Sequence, residues 1–220
     1  MQGRNFKVGA TDFYPNRVNY SFELSSPDSG VADTSQLFLT PDGAYDKSVS
    51  GFFECHDPAQ CDAQLFAHLQ QVKAMGFNTI RAVGAVNATN VRDSSGQRFF
   101  TINVHANDPW EPVYRLFLDY PDFQGAVATK HFQLVRRMLD VCDSAGLKVM
   151  LLTGGRVGYE PPDPDDYWRD YTTADAEAYA VYLGRMAEEL QGHPALFAYD
   201  VWNEPRWGGD ATSLQTKQTV

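Results

Sequence analysis

The chain has 220 residues, 43% of them hydrophobic and 13% aromatic, which suits a globular protein with a sizeable core. Lys and Arg total 18 against 28 Asp and Glu, a formal net charge of −10 that disfavours nucleic acid as a partner, because its binders present basic patches. No apolar run approaches the ~20 residues that span a bilayer, and Met1-Gln-Gly-Arg-Asn-Phe-Lys7 has no apolar signal core.

Phe6–Phe13 reads as a first strand that ends at Tyr14-Pro15. Residues 16–57 follow as a polar excursion with apolar patches at Leu37-Phe38-Leu39 and Gly51-Phe52-Phe53, either a hairpin or a long loop. Cys55 and Cys61 flank a short loop and can pair in an oxidising compartment; two free thiols is the other reading. With His56 they still lack a fourth ligand, so no zinc site is expected. Asp57-Pro58 supplies an N-cap and a proline at the first helical position. Leu65, Leu69, Val72 and Met75 then recur at helical spacing until Gly76.

Phe77–Val83 is the second expected strand. Residues 84–127 form another excursion, carrying Trp110, Tyr114, Phe117 and Tyr120, and a structureless loop of that length is uncommon in a compact domain unless it is functional. Helical spacing resumes at Phe132, Val135, Met138, Leu139 and Cys142 and stops at Gly146. Leu147–Thr153 is the third expected strand, and Gly154-Gly155 opens a polar loop with Pro161, Pro162 and Pro164. Thr173 caps a helix with an apolar stripe of Ala176, Ala180, Leu183, Met186 and Leu190, ended by Gly192. Ala195–Val201, bounded by His193-Pro194 and long enough for a buried strand, delivers Trp202-Asn203-Glu204-Pro205.

Strand and helix alternate, which implies a parallel α/β sheet. Helix-to-strand links are tight, whereas every strand-to-helix link is long and polar, so the elaborated loops gather at the C-terminal ends of the strands, where such folds build their sites. No glycine-rich nucleotide fingerprint follows any strand; Gly154-Gly155-Arg156 is too little for a phosphate cradle, and no cofactor or metal is expected.

Four segments taken in order resemble the N-terminal half of a clan A glycoside hydrolase, most like family 5, the cellulase and mannanase family. Gly9-Ala-Thr-Asp-Phe-Tyr-Pro15 resembles its first strand, and Met75-Gly-Phe-Asn-Thr-Ile-Arg81 its second. Gly146-Leu-Lys-Val-Met-Leu-Leu152 resembles the third strand, and Tyr199-Asp-Val-Trp-Asn-Glu-Pro205 the fourth. The resemblance implies half of a (β/α)8 barrel and a retaining β-glycosidase acting on a carbohydrate such as β-mannan or β-glucan, outside the cell or in the periplasm. It implies Glu204 as acid/base, Asn203 gripping the substrate 2-hydroxyl, and Arg81 beneath the site. A charge on an apolar strand must in any case find a partner, which a carboxylate in the cleft would supply. Trp110, Tyr159, Trp168, Trp202 and Trp207 are candidate platforms for sugar rings, with ordinary packing as the other account of each. His105 and His131 read as solvated or hydrogen-bonded rather than catalytic. Consecutive strand residues point to opposite faces, so Asn203 and Glu204 reach one sugar only if the chain bends at the strand end.

Four strands and three helices are fewer than the eight units and ~250 residues of a complete barrel. Residues 1–220 are therefore expected to be part of a larger catalytic domain, with the remaining half of the barrel supplied by a longer chain. The family's nucleophile, a glutamate on the seventh strand, has no counterpart here. Asp200, four residues before Glu204, lies ~13 Å along an extended strand, whereas a retaining pair stands about 5–5.5 Å apart. Asp12 is available only as a substrate contact. The 220 residues alone are expected to be inactive. Two other readings stand beside this one: a non-catalytic carbohydrate-binding protein, and a doubly wound α/β domain that binds a small anionic ligand.

Overall fold

The computed structural model describes residues 6–26, 34–41, 55, 57–84, 88–92, 97–106, 114–159 and 173–201. The segment expected as the first strand is instead a hairpin, β1 (Phe6–Val8) and β2 (Thr11–Phe13), in antiparallel register about Gly9 and Ala10. Lys7 and Asp12 form an ion pair across it, so Asp12 is not at the C-terminal end of a parallel strand. Gly9, at a φ of 62°, reverses the chain where a single strand was expected to run straight.

The strand that heads the parallel series lies in the first excursion: β3 (Arg17–Ser26), followed by β4 (Phe38–Pro41), which pairs with it antiparallel. Val18, Tyr20, Phe22 and Leu24 alternate with polar residues along β3, giving a period-2 pattern with no continuous apolar run to mark it. Phe22 and Leu24 are buried.

Helix α1 (Pro58–Ala74) begins as expected: Asp57 Oδ1 accepts from Gln60 N at 2.9 Å, and Pro58 occupies the first turn. Leu65, Leu69 and Val72 are buried, but Met75, just past the helix, is exposed rather than part of the stripe. Cys55 and Cys61 are joined by a disulfide, with Cα atoms 5.1 Å apart, and pack with Phe38 in a small cluster of their own.

After β5 (Thr79–Gly84), the second excursion proves to be an antiparallel meander of β6 (Ala88–Arg92), β7 (Arg98–Ala106) and β8 (Tyr114–Leu118). Its apolar residues are interleaved with polar ones and its strands pair mostly with each other, so no helix follows each strand to announce it. Phe100, Ile102 and Val104 of β7 are buried. Phe100 stacks on Tyr182 at 5.6 Å and meets Phe123 edge-on at 5.1 Å. Helix α2 (Ala126–Ser144) buries Phe132, Val135, Met138, Leu139 and Cys142 as the spacing predicts. Its N-terminus is capped from a distance, the Asp119 carboxylate accepting from Gln124 N at 2.7 Å and from Gly125 N.

β9 (Lys148–Leu152) is the third expected strand; Gly154-Gly155, expected to open a loop, begins β10 (Gly154–Tyr159), which runs parallel to β6. Helix α3 (Thr173–Leu190) buries Ala176, Met186 and Leu190, but Ala180 is exposed and the large buried residues are Tyr179 and Tyr182. β11 (Leu196–Asp200) closes the series. It is half-buried rather than buried, with Tyr199 and Val201 over a third exposed, because β9 is its only sheet neighbour among the described residues.

The protein is thus a mixed α/β structure with a parallel series and, among the described residues, three helices. β3, β5, β9 and β11 lie side by side in chain order, each parallel to the next. The three helices occupy the crossovers, and Gly76, Gly146 and Gly192 end them at positive φ. The core, including Ile80, Ala82, Leu139, Val149 and Leu151, lies between these strands and the helices.

Candidate functional site

Parallel strands in chain order bring their C-terminal ends together along one edge of the sheet. Here that edge is formed by Ser26, Gly84, Leu152 and Asp200, the last residues of β3, β5, β9 and β11. Gly84 permits this closeness: at a φ of 86°, a Cβ on it would stand 2.3 Å from the Phe22 carbonyl oxygen of β3.

Arg81 finds its counter-charge in Asp200. Its Nε lies 2.7 Å from Asp200 Oδ2, with the two side chains 15% and 24% exposed. Register explains the meeting. Arg81 stands opposite Met150 and Asp200 opposite Leu152, so both share one face of β9 and join across it. Asn19 of β3, opposite Arg81, shares that face, and Arg17 Nη1 lies 3.4 Å from Met150 Sδ. The other face carries Ile80, Ala82, Val149 and Leu151 against the helices. The polar face of this sheet is therefore the one turned away from α1, α2 and α3. Both side chains are half-buried, so the pair is screened less by water than a surface pair would be. Sequence reasoning found Arg81 but missed Asp200 as its partner. The available signal was a lone acid in an apolar strand run, the mirror of the one used for Arg81.

Of the other sequence-predicted site residues, Trp110, Trp168, Trp202, Asn203, Glu204 and Trp207 lie outside the described residues. Tyr159 ends β10, in register with Arg92 of β6. Among the described residues, no group of three or more His, Cys, Asp and Glu is arranged to hold a metal ion.

Three buried polar arrangements accompany these elements. His131 of α2 is fully buried, with Nε2 2.9 Å from the Tyr182 hydroxyl, and burial pulls its pKa down to about 4. Burial likewise raises the Tyr182 phenol well above its ordinary range, with Tyr179 adding to the shift. Nearer the strand ends, Thr153 and Tyr179 bring their hydroxyls to 2.8 Å and bond to the backbone that leaves β11. His193 is buried beside the start of β11, accepting from Ala195 N at Nδ1 and holding Asp140 through Nε2 at 3.0 Å. That satisfies both ring nitrogens and gives it a structural part, joining α2 to the turn before the strand.

No family model matches the sequence, and no curated protein matches it. Among solved structures, the exo-beta-1,4-mannosidase Op5Man5 from Opitutaceae bacterium strain TAV5 is similar over 93% of this chain, at 14% sequence identity and a TM-score of 0.45. The chain spans 27% of the length of that protein.

Proposed function

We propose that the chain carries the acid/base portion of a retaining β-glycosidase, similar to clan A glycoside hydrolases and most like family 5, acting on a β-linked carbohydrate such as β-mannan or β-glucan. The observation that carries this reading is the order of the motif-bearing strands. Three of the four resembling segments include residues of β5, β9 and β11, the last only through Tyr199 and Asp200, and these strands lie adjacent, parallel and in chain order. Sequential order along β3, β5, β9 and β11 is the winding of a (β/α)8 barrel, while β7 runs parallel to β3 on its other side and β6 and β10 lie beyond it. That favours residues 1–220 as part of a barrel-type catalytic domain over a doubly wound domain for an anionic ligand. The remaining segment, Gly9–Pro15, departs from the family pattern by forming the turn and second strand of a hairpin.

In this reading Glu204 protonates the leaving oxygen and then activates water, and Asn203 holds the 2-hydroxyl. Arg81, tied to Asp200, supports the strand that delivers both. Trp110, Tyr159, Trp168, Trp202 and Trp207 offer faces for sugar rings. Asp200, ~13 Å from Glu204 along an extended strand, does not match the about 5–5.5 Å of a retaining pair, and the 220 residues alone are expected to bind without hydrolysing.

Titration of the purified chain with mannohexaose and cellohexaose tests this, alongside product analysis. Binding without hydrolysis is expected, weakened by Asn203→Ala and by Trp168→Ala or Trp202→Ala. Affinity lost only in the tryptophan variants would favour a non-catalytic carbohydrate-binding protein. No binding of either sugar would overturn both carbohydrate readings. Hydrolysis that disappears in Glu204→Gln would overturn the inactivity of the isolated chain.

A further inference from the structure

β11 ends at Asp200, and the next residues are Val201, Trp202, Asn203 and Glu204. The backbone N–H of Thr153, one residue past β9, donates to the Asp200 carbonyl at 3.0 Å. One residue further along, the Val201 carbonyl takes its bond from a side chain of another element: the Tyr179 hydroxyl of α3 donates to it at 3.3 Å. Tyr179 Oη lies 2.8 Å from Thr153 Oγ1, which itself stands 3.4 Å from the Asp200 carbonyl oxygen, so two hydroxyl protons serve three contacts. Both residues are buried, Tyr179 at 1% and Thr153 at 0% exposure.

In a regular strand, consecutive carbonyls point to opposite sides. Here the carbonyls of Asp200 and Val201 are both held by two residues that touch each other, which fixes the backbone where it leaves β11. A bend at this point is what would let Asn203 and Glu204 address one ligand, because in an extended strand they would face apart. Packing alone does not account for the tyrosine hydroxyl. The ring stacks on Tyr182 at 6.0 Å, which phenylalanine would also do, while a buried hydroxyl is unfavourable unless bonded.

We propose that Thr153 and Tyr179 are positioning residues that set the course of the chain into Asn203 and Glu204. The proposal rests on the glycosidase reading for what those two residues do, but not for how they are held. Three variants test it: Tyr179→Phe, Thr153→Val (same shape, no hydroxyl) and Thr153→Ser (hydroxyl kept). Backbone hydrogen exchange is followed at Trp202, Asn203 and Glu204, together with mannohexaose affinity and Tm. Exchange at those amides is expected to rise about fivefold to tenfold in Tyr179→Phe and Thr153→Val, the effect of losing one hydrogen bond, with α3 protection unchanged and Thr153→Ser close to wild type. Mannohexaose affinity falls in step with exchange. Unchanged exchange at residues 202–204 alongside a lowered Tm would overturn the proposal, leaving the hydroxyls a merely structural part. If Tyr179→Phe does not fold, the Thr153→Val and Thr153→Ser pair carries the test in the same way. Failure of the glycosidase reading looks different: Asn203→Ala then leaves mannohexaose affinity unaltered whatever the exchange rates do.

Discussion

His131 sits in the aromatic cluster between α2 and α3, its ring stacked on Tyr182 at 6.2 Å and bonded to it. The sequence read it as solvated or hydrogen-bonded rather than catalytic, and of the first two it is buried and hydrogen-bonded. Because burial holds its pKa at about 4 against 6.5 for an exposed histidine, the native state refuses a proton that the unfolded chain accepts between those values. The unfolded state binds more protons in that window, so stability falls as pH drops from 6.5 towards 4. His131→Gln can keep a bond to Tyr182 and does not titrate. Chemical denaturation at pH 7 and pH 4.5 should show wild type losing about 2–3 kcal/mol more than the variant over that step. Equal losses would mean that the ring is protonated in the folded protein. Arg81 makes the complementary point: the need for a partner was legible in an apolar strand, but the partner's identity depended on register across β9.

Among elements, the helices and the strands that follow them were the most legible. Asp57-Pro58 and the apolar spacing of α1 and α2 act locally, and glycines end all three helices. β3 was missed because its apolar residues alternate with polar ones, and β6 to β8 because a meander lacks the helix that marks a parallel unit. Ala180 was misassigned because the buried face of α3 is set by Tyr179 and Tyr182, which reach Thr153 and His131. Gly84 shows how one residue governs the meeting of two strands. Gly84→Ala would meet the Phe22 carbonyl in a backbone conformation that disfavours side chains. A loss of at least about 2 kcal/mol is expected, read as a fall in Tm of roughly 4–8 °C by thermal unfolding. An unchanged Tm would show that β3 and β5 do not approach so closely.

For the whole molecule, the Cys55–Cys61 disulfide acts chiefly on the unfolded chain by closing a short loop, and it ties the segment before α1 to the first turn of that helix. Replacing both cysteines by alanine is expected to cost about 2 kcal/mol by the loop-closure relation, seen as a lower denaturation midpoint, and reductant should then have no further effect. A reductant-sensitive midpoint in the double variant would point to some other cause. By itself the sequence determined the α/β class, three helices with the glycines that end them, and three of the parallel strands. These depend on spacing, capping and glycine conformation, which act over a few residues. Only the tertiary structure decided that β3 heads the parallel series, that Asp200 answers Arg81, that the two cysteines are joined, and that α3 holds the exit from β11. Each is a contact between segments far apart in the chain or a choice between pairings, which local pattern leaves open and packing selects.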